Sequence, residues 1–249
     1  MAAGLGLAAL AASTTPASAT TYLKLLSSSM DTRFQAYIQG DGAVYSNGMT
    51  FTVKDSDALG HTTGSAYDIF GFCVDIYHSI TIGGLNLVYS SNQDPAIVDP
   101  LPTDFGGHAV SPVQLSKLTN LIDTGYLMHQ QEVATNTFSF DTQMRLAAIQ
   151  AAIWHTEVPT IDIHVTKGGL TTSQFATYQT YFNDYSSGNY TSLADANDRF
   201  YVITNASHQS FGIGWPISSA PEPGTWALML GGFFGAGAVL RRRRAALAA

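Results

Sequence analysis

Residues 141–157 read DTQMRLAAIQAAIWHTE, and this stretch decides how the rest of the chain is arranged. Leu146, Ile149 and Ile153 fall on one stripe when successive residues are turned by about 100°, which predicts an amphipathic helix. The helix should end before Pro159, because the residue preceding a proline disfavours the helical conformation. We therefore expect a helix across the whole stretch, with Trp154 completing its apolar stripe.

Two further helices are predicted on either side of this one. Ser111-Pro112-Val113-Gln114 has the pattern of a helix start, with a Ser cap, Pro at the first position and Gln three residues after the cap. Gly125 is the expected stop of that helix. The third helix is expected from Thr172 to about Tyr185.

Strand patterns lie before and after this helical block. Runs rich in β-branched and aromatic residues, separated by Gly and Asp turns, predict strands at Tyr22–Leu26, Phe34–Gln39, Met49–Lys54, Arg199–Thr204 and Phe211–Ile217. A longer β-rich run, Tyr67–Ile80, is expected to form a hairpin with Leu85–Ser90. The order predicts an α+β fold, an antiparallel β-sandwich or barrel-like core with an inserted helical lobe.

The N-terminal end has the pattern of an export signal. Residues 1–19 carry no charged side chain, contain the apolar run Gly4–Ala12 and finish with Ala17-Ser18-Ala19. An apolar run followed by an A-x-A pattern predicts a signal peptide, cleaved here after Ala19. The predicted mature domain then covers residues 20–219.

The other end, residues 220–249, contains three ordered features. Pro221-Glu222-Pro223 is followed by 16 uncharged residues, Thr225 to Leu240, and then by four arginines, Arg241, Arg242, Arg243 and Arg244. A membrane-spanning helix needs about 20 apolar residues, so this run is a short candidate for a membrane span. A basic cluster that follows such a span is expected to stay on the cytoplasmic side.

This order resembles the PEP-CTERM sorting signal of Gram-negative bacteria. The resemblance implies processing by an exosortase, transient anchoring in the inner membrane, and delivery to the cell surface or extracellular matrix. A permanent tail anchor is the alternative.

Composition excludes some classes of partner. Charged residues make up 12% of the chain and the net charge is −7, which becomes more negative without the tail arginines. An acidic chain without a basic patch is not expected to bind nucleic acid. The seven histidines show no pair at metal-ligand spacing, so we expect neither a metal nor another cofactor.

Two residues within the mature domain need an explanation. Gln150 lies in the apolar stripe of its helix, where an unpaired amide would cost about 1–3 kcal/mol. Cys73 is the only cysteine, so it has no partner for an internal disulfide. Each has an ordinary explanation: Gln150 could hydrogen-bond the edge of a strand, and Cys73 could pack as a small hydrophobe. Strand alternation puts Cys73 on the face of Asp75, opposite Phe72.

One chemical explanation covers both residues. A cysteine sulfur can attack a glutamine side-chain amide, expel ammonia and leave an internal thioester. An external amine or hydroxyl then attacks the glutamine carbonyl and releases the cysteine. The protein becomes covalently attached to the molecule that carried the nucleophile.

The two motifs resemble those of bacterial surface thioester domains. Phe72-Cys73-Val74-Asp75 is similar to their aromatic-Cys-aliphatic signature, and Ile149-Gln150-Ala151-Ala152-Ile153-Trp154 to their apolar-Gln-x-Ala-Ile-Trp signature. Residues 115–126, LSKLTNLIDTGY, resemble the preceding helix of the family. Many members have Thr where this chain has Ile149.

The resemblance implies an adhesin that is not an enzyme. It would bind a surface protein or polysaccharide bearing an amine or hydroxyl through a Cys73–Gln150 thioester.

Four neighbouring residues are candidates for accessory roles, each with an ordinary alternative. Trp154 would shield the bond or act only as a core aromatic, and His78 or His155 would transfer protons or simply lie at the surface. Asp75 would orient one of these histidines or would only form hydrogen bonds with the backbone. Two rival functions stay open: a Cys-nucleophile acyl transferase or protease using Cys73 with His78 or His155, and a non-reactive structural protein of the extracellular polysaccharide matrix.

Overall fold

The computed structural model describes residues 21–76, 83–92, 110–193, 199–205 and 208–215. These residues form nine strands and three helices, which confirms the predicted α+β fold. The predicted signal peptide (1–19) and sorting tail (220–249) lie outside the described residues. Within the described ranges, no helix has the length and apolar character that crossing a bilayer requires.

Six strands close an antiparallel barrel: β1 (Thr21–Ser29), β4 (Met49–Ser56), β5 (Thr62–Cys73), β6 (Gly83–Asn92), β8 (Arg199–Asn205) and β9 (His208–Trp215). Their order around the barrel is β1-β4-β5-β9-β8-β6, with β6 returning to β1. The interior contains large side chains that are completely buried, including Leu25, Phe51, Tyr89 and Phe211. Burial of these residues supplies the main driving force for closing the barrel.

The predicted hairpin between Tyr67–Ile80 and Leu85–Ser90 is wrong. β6 pairs with β1 and β8, while the two edges of β5 are taken by β4 and β9. The reason is barrel closure, since β6 completes the ring only by joining β1 to β8. β5 also ends at Cys73, and residues 77–80 of the predicted run lie outside the described residues.

A second, three-stranded sheet lies beside the barrel. It contains β2 (Gln35–Ile38), β3 (Gly42–Tyr45) and β7 (Ile163–Thr166), in the order β3-β2-β7. The sequence analysis missed β3 and β7, which have only four residues each and too little periodicity to identify. β7 ties the segment after the central helix to the N-terminal part of the chain through its antiparallel pairing with β2.

Three helices form the lobe: α1 (Pro112–Thr135), α2 (Phe140–Glu157) and α3 (Thr172–Ser187). The predicted start of α1 is confirmed, because Ser111 and Gln114 form a reciprocal capping box. The predicted stop at Gly125 is wrong, and α1 continues to Thr135. A Cβ at Gly125 would lie 2.3 Å from Cζ of Phe72, so this glycine allows α1 to pack closely on β5.

The packing of α2 differs from the expected amphipathic helix. Ala148 and Ala151, which lie opposite the predicted apolar stripe, are completely buried, because α1, α3 and β7 also pack against this helix. Residues 146–154 of α2 are buried throughout, as expected for a helix segment that is enclosed on all sides. The amide of Gln150 lies in this segment, against the end of β5.

Candidate functional site

Gln150 and Cys73 are in direct contact. The backbone N–H of Cys73 donates a hydrogen bond to Oε1 of Gln150 (2.8 Å), and Nε2 of Gln150 donates to the backbone carbonyl oxygen of Cys73 (2.9 Å). Gln150 is 1% exposed and Cys73 is 4% exposed. The side-chain amide thus pairs with Cys73 as a neighbouring strand would.

The position of Cys73 at the end of β5 explains this pairing. On one side Cys73 lies opposite Phe211 of β9, and the N–H of the next residue, Val74, donates to the backbone oxygen of Ser210 in the same strand. On the other side β4 begins at Met49, opposite Gly71. The N–H and carbonyl of Cys73 on that side are beyond the reach of β4, and Gln150 satisfies them.

This geometry bears on both explanations for Gln150. Hydrogen bonding to a strand edge satisfies the buried amide without any further chemistry. The same two bonds place the Gln150 amide beside the backbone of the residue that carries the thiol. The Cys73 N–H is also aimed at Oε1, the oxygen that becomes negative when the amide or thioester carbon is attacked.

The surroundings keep the Cys73 thiol protonated. Burial raises the pKa of this thiol well above its ordinary value, and the carboxyl groups of Glu157 and Asp75 raise it further. A cysteine nucleophile in an enzyme is usually stabilised as a thiolate by positive surroundings. The described surroundings of Cys73 favour the neutral thiol instead.

Glu157 is one of the residues of this site that the sequence analysis missed. It is the last residue of α2, is 3% exposed, and follows Gln150 by two helical turns. Burial raises the pKa of the Glu157 carboxyl well above its ordinary value, and Asp75 adds to the effect. The signal in the sequence was the spacing of seven residues, which puts an acid on the same face as Gln150.

Asp75 and Tyr89 complete the buried cluster around the thiol. Asp75 is 1% exposed, and its backbone oxygen accepts a hydrogen bond from Nε2 of Gln209 (3.1 Å). The Tyr89 hydroxyl donates to the backbone oxygen of the same Gln209 (3.1 Å). Burial raises the pKa of Tyr89, with smaller contributions from Cys73 and Asp75. Gln209 of β9 thus forms hydrogen bonds with both Asp75 and Tyr89.

The remaining accessory candidates have different positions. Trp154 is buried one turn after Gln150, and its Nε1 has no hydrogen-bond partner among the described residues. The ring of His155 lies 6.0 Å from that of Phe182 in α3, on a side of α2 turned by about 140° from Gln150. His155 therefore faces α3, and His78 lies outside the described residues. No group of three or more metal-ligating side chains occurs in the described part of the chain.

Comparisons with known proteins give one structural similarity. No protein-family model and no curated protein matches the sequence. Among solved structures, the chain is similar to the N-terminal domain of the Streptococcus pyogenes pilus tip adhesin Cpa, with 10% sequence identity and a TM-score of 0.43. The match covers 76% of this chain and 96% of that one.

Proposed function

We propose that this chain is an exported surface or matrix protein that binds its target covalently through a thioester between Cys73 and Gln150. The observation that carries the proposal is the pair of hydrogen bonds between the Gln150 amide and the Cys73 backbone. They fix the amide of one residue against the other inside the core. A single free cysteine supplies the thiol.

Formation of the bond is balanced within the site. The Cys73 sulfur attacks Cδ of Gln150, the bond from Cδ to Nε2 breaks, and the thiol proton leaves with the nitrogen as ammonia. The hydrogen bond from Nε2 to the Cys73 carbonyl is lost with the ammonia. The bond from the Cys73 N–H to Oε1 is retained and polarises the new thioester carbonyl.

Binding consumes the thioester. An amine or hydroxyl of the target attacks Cδ of Gln150, the bond from Cδ to Sγ breaks, and Cys73 regains a proton. The target is then joined to Gln150 through an amide or an ester. This is a single binding event and not turnover, so the protein acts as a covalent adhesin and not as an enzyme.

The surroundings of the site support storage of such a bond. Ile149 and Phe72 are completely buried, and Trp154 is 3% exposed, so these apolar side chains help to exclude water from Gln150. A reactive intermediate survives in a protein when water is excluded from it. Shielding of the thioester is the role we assign to Trp154.

Export is the part of the proposal that rests on the chain ends. The signal peptide would direct the chain across the inner membrane, and the tail would anchor it there until an exosortase releases it. The mature domain would then reach the cell surface or extracellular matrix of a Gram-negative bacterium. Its target is a protein or polysaccharide bearing an amine or a hydroxyl.

Methylamine labelling tests the covalent chemistry. Methylamine should add to Gln150 and release the Cys73 thiol in equal amounts, measured by peptide mapping and by titration of the free thiol. Cys73→Ala should take up no amine, because without the sulfur no thioester forms. Labelling of Gln150 in Cys73→Ala, or a wild-type Cys73 thiol that is free before methylamine is added while the Gln150 amide stays intact and unlabelled, would contradict the proposal.

A non-reactive structural protein is the competing candidate, because the two hydrogen bonds also satisfy a permanent Gln150 amide. That candidate predicts a free, buried thiol and no amine uptake. The same labelling experiment therefore separates the two functions.

A further inference from the structure

Glu157 is a buried acid whose position the fold alone does not explain. The residue is 3% exposed, and its Oε2 has no hydrogen-bond partner among the described residues. Burial of a carboxylate without a partner is strongly unfavourable, so such a group is kept protonated or is paired with a cation. Among the described residues, no ion pair involves Glu157.

The end of α2 favours the protonated form of Glu157. The C-terminal end of a helix carries partial negative charge, which disfavours a carboxylate there. Nε2 of Gln114 donates hydrogen bonds to the backbone oxygens of Thr156 (2.8 Å) and Glu157 (3.3 Å). Oε1 of the same Gln114 accepts from the N–H of Ser111 (3.0 Å). The helix end that carries Glu157 is thus tied to the start of α1.

The titratable neighbours of Glu157 come from the barrel. Asp75, just after β5, raises the pKa of the Glu157 carboxyl, and both carboxyl groups raise the pKa of the Cys73 thiol. Cys73 and Asp75 in turn raise the pKa of the Tyr89 hydroxyl in β6. From α1 the contacting group is the uncharged amide of Gln114. A thiolate released in this cluster would face two carboxyl groups and no described cation.

We propose that Glu157 is the acid that gives a proton to the Cys73 sulfur when a nucleophile opens the bond to Gln150. This inference rests on the proposed function. Because a bare thiolate is strongly disfavoured here, the bond from carbon to sulfur breaks readily only if the sulfur is protonated as it leaves. Tyr89 is already committed to the backbone oxygen of Gln209, whereas Oε2 of Glu157 is free to act.

The proton balance of this step closes. The amine nitrogen attacks Cδ of Gln150, and the electrons of the broken bond from Cδ to Sγ move to the sulfur. The proton of the Glu157 carboxyl moves to Sγ and forms the thiol. The surplus proton of the attacking amine returns to the Glu157 carboxylate, so the acid is restored.

The test compares Glu157→Gln with Glu132→Gln in the full chain. Glu132 is a matched control, because it is also buried with Oε2 lacking a partner among the described residues, while its Oε1 accepts from the N–H of Ser139 (3.0 Å). Methylamine uptake is followed by intact mass after the thioester content has been measured. We expect uptake by E157Q to be slower by about 100-fold, a typical loss for a general acid, and uptake by E132Q to match the wild type.

The pH dependence of the wild type supplies a readout that a structural role would not change. The acid works only while protonated, so the rate per unprotonated methylamine should fall as pH rises through the pKa of Glu157. E157Q should show no such fall over the same pH range. If E157Q does not fold or does not form the thioester, the wild-type profile alone decides, and a rate that stays flat up to the pH at which the protein unfolds overturns the inference.

The outcomes separate the two proposals. An E157Q protein that carries the thioester and reacts at the wild-type rate overturns the role of Glu157 and leaves the proposed function standing. A wild-type protein without the loss of ammonia overturns the proposed function and this inference with it.

Discussion

At the scale of single residues, Gln150 has two roles that can be measured separately. It pairs with the part of the β5 edge that β4 does not reach, through the Cys73 backbone, and it supplies the carbonyl for the proposed bond. The first role depends only on the backbone of Cys73. It therefore persists when the thiol is removed, which makes Cys73→Ala the correct background for measuring it.

We predict that Gln150→Leu in the Cys73→Ala background lowers the free energy of unfolding by about 1–3 kcal/mol, because it leaves a buried N–H and a buried carbonyl without partners. Urea denaturation measures the change. The control is Gln130→Leu, an exposed position of α1, where the change should stay within about 0.5 kcal/mol. Equal stability of the two variants would show that the strand edge does not need Gln150.

At the scale of elements, local signals were predictable from the sequence and distant contacts were not. The Ser111 capping box and the bounds of α2 follow from neighbouring residues, and both are confirmed. Gly125 looked like a helix stop because its real partner, the Phe72 ring, lies in a strand far away in the sequence. Pairing of β6 with β1 likewise depends on closure of the whole barrel.

The same distinction holds within the site. Gln150 stood out because an amide in an apolar stripe violates a local pattern. Glu157 did not stand out, because a glutamate in the last turn before Pro159 is expected to be exposed. Glu157 is buried by parts of the chain that are distant from it in the sequence.

The two capping boxes allow a paired prediction at this scale. Gln114 of α1 donates to the end of α2, whereas Gln174 has the equivalent place in the capping box of α3 with Thr171. Gln114→Glu should lower the free energy of unfolding at neutral pH by about 1–3 kcal/mol, because a carboxylate would face the carbonyl oxygens of Thr156 and Glu157. Urea denaturation at two pH values measures the loss.

The control, Gln174→Glu, should be neutral or slightly stabilising, since a negative charge favours a helix N-terminus. The penalty in Gln114→Glu should shrink at low pH, where the new carboxyl is protonated and can donate. A penalty of the same size in both variants would show that the link between α1 and α2 contributes nothing.

At the scale of the whole molecule, the proposed function joins a reactive core to a removable tail. We predict that the mature surface form lacks residues 221–244, because the exosortase reading requires cleavage near Pro221-Glu222-Pro223. Mass spectrometry of the surface fraction identifies the C-terminal peptide. Recovery of a surface form that still contains Arg241 to Arg244 would instead identify a permanent anchor.

The thioester itself is tested most directly by the intact mass of freshly purified mature protein at neutral pH. The proposed function predicts a mass below the sequence mass by one ammonia molecule, with the deficit absent in both Cys73→Ala and Gln150→Ala. Peptide mapping first excludes hydrolysed protein, which carries a carboxylate at position 150. A wild-type protein at its full sequence mass, with an intact Gln150 amide and a Cys73 thiol alkylated before any amine is added, would contradict the thioester.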